Sequence, residues 1–374
     1  MKFRNIYLAV ALLATSVAFT ACSDDDEWNQ TDDDEWNQTG GGKVEMTSPA
    51  RAFILNEGTM NHNNSNLIYF DWSTGQVNGS DLFRAQNDRV LGDTGNDILT
   101  VANNKLVVAV NVSNYIALLD GYGVEKSRVS FEPYKNLGQV RSIDEEDGII
   151  YAVSYGGYVS RLRISGNQLV YVDSLRVGDR PEDVVEEDGK LYITLQGQNY
   201  TDNRLAIVSN DFKTISYATI MQDPVKVYEE DDKIFITGYG AMFNNPWGVY
   251  DPAKGTYTEL GNASVIGVGD DVVYTAYCET DWNADPVTTT TTLGAYNVKT
   301  GQTDANFFKN QPAELASTNV YSISVNPYNH KIYLATSASD YVSDGRVYVF
   351  DGNGNYETSF SSCGANPNRI VFLH

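Results

Sequence analysis

The sequence is poor in residues that perform covalent or metal chemistry. Its histidines are His62, His330 and His374, and its cysteines are Cys22, Cys278 and Cys363. It has no G-x-S-x-G elbow, H-E-x-x-H helix, phosphate loop or paired-cysteine metal signature. His330 falls in a turn, His374 is terminal, and His62 in "NHNN" (61–64) reads first as a solvated loop histidine. "DGNGN" (351–355) starts like a calcium loop but lacks the distal glutamate, so it reads as a turn. Carboxylates are plentiful, yet spacing alone sets no two at a catalytic separation. The chemistry these residues do support is recognition. Segments such as "SYGGY" (154–158), "QGQNYTDN" (196–203) and "GYGAMFNNPW" (238–247) mix aromatics with amides. Tyr and Trp offer stiff, flat apolar area with a polar tip, and Asn or Asp can orient amides and hydroxyls.

The elements that must position these segments are short strands. "EEDGIIYAV" (145–153), "EEDGKLYIT" (186–194) and "EEDDKIFIT" (229–237) are copies of one unit, a polar turn followed by an alternating β-branched and aromatic run. Weaker copies are "ANNKLVVAV" (102–110), "VGDDVVYTA" (268–276) and "NPYNHKIYLA" (326–335). The apolar runs begin near Phe53, Leu106, Ile149, Leu191, Ile234, Val272 and Ile332. Third strands follow, as in "RLRISGNQ" and "VYVFDGNGN", and fourth strands follow their turns. No stretch has helical periodicity of useful length. Four short strands at a period of about 40–50 residues predict an all-β fold, a seven-bladed β-propeller of four-stranded antiparallel blades. "PNRIVFLH" (367–374) reads as an inner strand and "RAFILNEG" (51–58) as a second strand, so the last blade is expected to close from both termini. Six or eight blades is the alternative if the long 272–332 interval is miscounted.

Strand alternation puts the loop after each second strand on the same face as the connection into the next blade. Those loops carry Asn and aromatic residues, whereas the opposite face carries plain turns such as "EEDG", "STGQ" and "AKGT". Asn and Tyr are common in any turn-rich protein. Loops on a rigid scaffold are nevertheless where function collects, so the decorated face is the expected binding face.

The opening "MKFRNIYLAVALLATSVAFTAC" has a basic start and a short apolar run, which reads as a secretory leader over 1–21. "FTAC" resembles a bacterial lipobox, which makes Cys22 the expected lipidation site. Ordinary cleavage after Ala21 is the alternative. "DDDEWNQT" then occurs twice, at 24–31 and 32–39. Its carboxylates repel one another, so residues 22–50 are expected to form a solvated tether, with 51–374 as one propeller domain. The formal charge of −23 disfavours nucleic acid and anionic membrane surfaces as partners. Cys278 and Cys363 are too few for a disulfide framework, although one bridge is open to them.

"FILNEG" (53–58), "NSNLIYFD" (64–71), "LGDTGNDI" (91–98) and "SVNPYNHKIYLATSASDYVSDGRVYVFD" (324–351) resemble the YncE-type seven-bladed surface propellers of Bacteroidetes. Within that group the chain resembles the BtuG-type lipoproteins, which capture vitamin B12 and related corrinoids for a TonB-dependent, BtuB-like outer-membrane transporter. "SDDDE" after Cys22 likewise resembles the surface-export signal of Bacteroidetes lipoproteins. The resemblance implies a lipid-anchored, non-enzymatic surface protein with a corrinoid such as cobalamin or cobinamide as transported ligand and no resident cofactor. The loops then nominate Tyr155, Tyr158, Tyr200, Phe243, Trp247, Tyr277, Trp282 and Tyr341 as aromatic contacts. Asn56, Asn111, Asn199, Asn244 and Asn245 are the amide contacts, Asp93 and Arg180 the charged ones, and His62 a candidate cobalt ligand. Alternatives are a glycan-binding or protein-interaction propeller of a nutrient-uptake complex. A lactonase or lyase is a further one, needing a carboxylate cluster in the channel.

Overall fold

The structure, a computed structural model, describes residues 43–374 apart from Trp282 and Pro286. The expected leader, Cys22, the acidic tether as far as residue 42, and Trp282 lie outside the described residues. The rest is almost wholly β, with seven four-stranded antiparallel sheets set as blades of one ring. Blade 1 joins both ends of the chain. Its inner strand is Pro367–Leu373, followed outward by Arg51–Asn56, Asn66–Asp71 and Gln76–Asn78. Blades 2 to 7 follow in sequence, with inner strands Gly95–Val101, Val140–Glu146, Pro181–Glu187, Pro224–Glu230, Val265–Gly269 and Val320–Val325.

The second strands explain why a ring forms. In blade 3, Ile150 and Ala152 pack toward blade 2, while Tyr151 and Val153 pack toward blade 4. Successive side chains point to opposite faces of a sheet, so a strand apolar on both faces needs a neighbour on each side. One apolar cluster fills each seam between blades, from blades 1 and 2 round to blades 7 and 1. Each fully buried Leu, Ile or Phe contributes about 1.5–3 kcal/mol, and no single blade collects that on both faces.

Three details depart from the sequence expectation. Met46 and Ala50 are buried, and Val44 packs on the seam between blades 1 and 2, so the propeller takes up residues assigned to the tether. A single-turn helix, Leu82–Asn87, capped by Asp81, interrupts the connection from blade 1 to blade 2 and is too short to show a period. The long 272–332 interval holds one blade, not more. Its length goes into the extended hairpin of Val272–Asp281 and Thr288–Asn297 and the segment around the turn Ala313–Ser317. Cys278 and Cys363 are both free thiols.

Candidate functional site

Each inner strand starts at the face that carries the second-strand loops, here the upper face, and runs toward the lower one. The inner strands surround a channel of about 960 Å³ lined by residues of every blade. At the upper end, six of the seven inner strands lose register with their partner just after their first residue. The residues skipped there include Asn96, Arg141, Glu182, Val225, Tyr321 and Asn368, and all six line the channel. A bulged residue leaves the ladder and its side chain is re-aimed, which is how bulges commonly build sites. The fold thus makes a ring of mostly polar side chains at the upper mouth.

These residues are bonded to one another. Arg141 donates Nη1 to Asn96 Oδ1 at 2.7 Å and Nε to Glu182 Oε1 at 3.0 Å. The Tyr321 hydroxyl donates to the Glu57 carboxylate, which arrives from the second-strand loop of blade 1. Burial pushes the Glu57 carboxyl up from its ordinary range, against the lowering effect of Tyr321 and Arg141. Burial and Glu57 together push the Tyr321 phenol well up. One residue deeper the charges pair: Arg369 Nη1 meets Asp97 Oδ1 at 2.8 Å and Lys226 Nζ lies 3.9 Å from Asp183 Oδ1. Burial works to raise Asp97, but Arg369 and Lys226 hold it low. Asp97 Oδ2 accepts from Ile143 N at 3.1 Å and Asp183 Oδ2 from Val227 N at 2.9 Å, so these carboxylates also stitch blade 2 to blade 3 and blade 4 to blade 5.

The lower mouth is different. Glu145, Glu146, Glu186, Glu187 and Glu229 line it, from the ends of the inner strands of blades 3 to 5. Burial and the neighbouring carboxylates push Glu229 up to about 7 and raise Glu186 and Glu187. The "EEDG" segments are turns, as read from the sequence, but they also gather like charges at one end of the channel. His330 sits on this side, with Nδ1 2.9 Å from Asp270. "DGNGN" is the third-to-fourth strand turn of blade 7, its Asp351 carboxylate accepting the Asn353 and Asn355 amides at 2.9 and 2.8 Å. Among the described residues no group of three or more His, Cys, Asp or Glu is placed to hold a metal.

The nominated residues divide into three sets. Tyr155, Arg180 and Tyr200 come together. The Arg180 guanidinium lies over both rings, 4.4 Å from the centroid of Tyr155 and 4.6 Å from that of Tyr200, and its Nη2 donates to the Tyr200 hydroxyl at 3.1 Å. Arg141 also lies over Tyr155, at 4.8 Å, which links this cluster to the mouth of the channel. A second set is displayed. His62, Asn199, Phe243, Asn244 and Tyr341 are exposed, Asn245 and Tyr277 are half-buried, and Asn245 borders the channel. His62 Nδ1 is 3.0 Å from Met60 O. Met60, Tyr239, Met242, Phe243, Val287, Tyr341 and Val342, in loops of blades 1, 5, 6 and 7, are exposed apolar side chains.

The third set is taken up by the scaffold and corrects the sequence expectation. Trp247 is only 4 % exposed and packs in the seam between blades 5 and 6, because it stands inside the third strand and not in the loop before it. Asn56 and Asn111 are buried, donating to Ser362 O at 2.9 Å and Val140 O at 2.6 Å, so each ties its own blade to a neighbour. Asp93 is buried in its turn, accepting from Asn61 N and Thr94 Oγ1. Tyr158 packs against the seam between blades 2 and 3. The ring of bulged residues and Glu57 went unread. Its trace in the sequence is a polar residue repeated just after the start of five of the seven inner strands: "GND" (95–97), "VRS" (140–142), "PED" (181–183), "VYS" (320–322) and "PNR" (367–369).

No protein-family profile matches the chain. No curated protein matches it. Solved structures do share its fold. The periplasmic gluconolactonase PpgL of Pseudomonas aeruginosa superposes with a TM-score of 0.59 at 12 % identity, over 87 % of this chain and 99 % of that one. A Bacteroides fragilis protein regarded as a candidate 6-phosphogluconolactonase gives 0.59 at 10 % identity, over 88 % and 100 %. BamB of Moraxella catarrhalis gives 0.50 at 10 % identity, over 89 % and 93 %. At these identities the likeness is one of fold alone.

Proposed function

We propose that this protein captures a large, amide-fringed small molecule on its upper face, and that the molecule is a corrinoid of the vitamin B12 type. The observation that supports this is the composition of that face. Exposed apolar side chains in loops of blades 1, 5, 6 and 7 accompany the aromatic and guanidinium cluster of blades 3 and 4 around a polar channel mouth. Such a surface can cover apolar edges and satisfy peripheral amides without acid–base machinery. In this reading Cys22 is acylated, the protein is tethered to the outside of the outer membrane, and it delivers its ligand to a TonB-dependent, BtuB-like transporter. Titration calorimetry with cyanocobalamin and cobinamide tests it. Saturable heat at micromolar ligand is expected, and none with either compound would remove the corrinoid reading.

A second reading, lactone hydrolysis, draws on the lactonases among the structural neighbours and on the hydrogen-bonded Glu57–Tyr321 pair beside Arg141 at the channel mouth. Opening of glucono-δ-lactone followed by pH-stat would decide it. A turnover lost in Glu57→Gln would favour the enzyme, and a rate equal to buffer would dismiss it.

A further inference from the structure

Arg180 stands apart electrostatically. The chain carries 49 acidic residues against 26 basic ones, so most cations find a carboxylate. The arginines around it do: Arg141 pairs with Glu182, Arg176 with Asp179, and Arg204 with Asp202. Among the described residues Arg180 makes no ion pair, and its one side-chain hydrogen bond goes to the neutral hydroxyl of Tyr200. Its Nε is buried without an acceptor. Two rings hold the guanidinium instead.

The backbone adds an independent observation. Arg180 has φ 51° and Tyr200 φ 58°, both in the left-handed region that non-glycine residues enter at a cost. The two meet in one contact, Arg180 from the connection into blade 4 and Tyr200 from the second-strand loop of the same blade. Strained residues of this kind gather at ligand clamps, where the surrounding structure holds them in place. The lower mouth of the channel is crowded with glutamates, whereas at the upper mouth Arg141 is paired with Glu182 and lies over Tyr155, the ring that Arg180 also covers. Carboxylates thus crowd the lower mouth, while Arg180, beside the upper mouth, is a cation without an ion pair among the described residues.

We infer that Arg180, held by Tyr155 and Tyr200, is the anion subsite of the upper face, receiving a phosphate or carboxylate carried on a flat or apolar body. The guanidinium supplies the charge and a planar fork of donors, and the neighbouring rings supply apolar contact for the body. This deepens the reading of the upper face as a ligand face, but it does not depend on the ligand being a corrinoid.

Calorimetric titration of the whole chain with phenyl phosphate, benzoate and benzyl alcohol tests the subsite. Phenyl phosphate and benzoate are expected to bind at least tenfold more tightly than the neutral alcohol, and their order tells phosphate from carboxylate. Arg180→Ala is expected to lose tenfold or more for both anions and to leave the alcohol unchanged. Arg180→Lys, which keeps the charge but not the planar fork, is expected to lose most of that preference, and it serves if the alanine variant fails to fold. Equal affinity for alcohol and anions, no binding of either anion at millimolar concentration, or an unchanged anion preference in Arg180→Lys or Arg180→Ala would overturn the inference. Anion binding without cyanocobalamin binding would keep the subsite and discard the corrinoid.

Discussion

Individual side chains in this propeller do one of two jobs, and burial decides which. Trp247 fills a seam, so Trp247→Ala is expected to cost about 3–5 kcal/mol of stability, read by chemical denaturation, through the cavity it leaves. Glu229 does the opposite of stabilising at neutral pH. Burial and Glu187 raise its carboxyl to about 7 in the folded protein, above its ordinary value of 4.5. The native state therefore binds more protons than the unfolded chain between those two values, and stability falls as pH rises through that window. Below about 4.5 both states hold the proton and nothing is lost. Asp144, raised to about 7 chiefly by burial, acts in the same sense. Glu229→Gln is accordingly expected to raise Tm at pH 8 by roughly 2 °C or more and to leave it nearly unchanged at pH 4.5, as measured by scanning calorimetry.

At the level of elements, the inner strands shape the channel and the second strands carry the fold. The second strands are regular and apolar on both faces, whereas most inner strands break register at the upper end and turn polar side chains into the channel. Tyr155 is set by a tight loop in which a Cβ on Gly156 would fall 2.0 Å from Asn136 O and 2.5 Å from Leu137 O. Gly156→Ala must move that backbone, so it is expected to destabilise the protein by about 1–3 kcal/mol. It is also expected to shift Tyr155 off Arg141 and Arg180, seen as a change in tyrosine near-ultraviolet dichroism. The strand Pro367–Leu373 pairs with Arg51–Asn56 along its length. Deleting residues 367–374 bares the inner edge of blade 1 and opens two seams. The shortened chain is expected to lose its cooperative melt and to elute as aggregate in size-exclusion chromatography.

For the molecule as a whole, the ring makes stability collective and charge directional. Each blade is held by two seams, so unfolding of the described domain is expected to be one transition. The excess of acids, many of them gathered at the lower mouth, makes the compact state repel itself. Screening relieves that repulsion, so raising sodium chloride from 0.02 to about 0.5 M is expected to raise Tm, with a smaller gain in Glu229→Gln. A flat or falling Tm would show that the paired charges Arg369–Asp97 and Lys226–Asp183 outweigh the repulsion.

The sequence by itself determined the blade count, the strand order and the closure of blade 1 by both termini. It also told the decorated face from the plain one. These follow from period-two patterning and turn chemistry, which act over a few residues and repeat. Tertiary structure alone decided what each loop residue does. Trp247, Asn56 and Asn111 share the composition of their exposed neighbours, yet they face seams because of one or two positions of register. The bulges that aim Arg141, Glu182 and Tyr321 inward depend on pairing with a strand that sequence patterning does not resolve to a single residue. Arg180 meets Tyr155 only because blades 3 and 4 lie side by side, and it meets Tyr200 only because two loops of blade 4 fold together. The carboxylates of the "EEDG" turns become a charged mouth only when the ring brings them to one axis. Local patterns specify the parts, but contacts between distant residues exist only once the parts are packed.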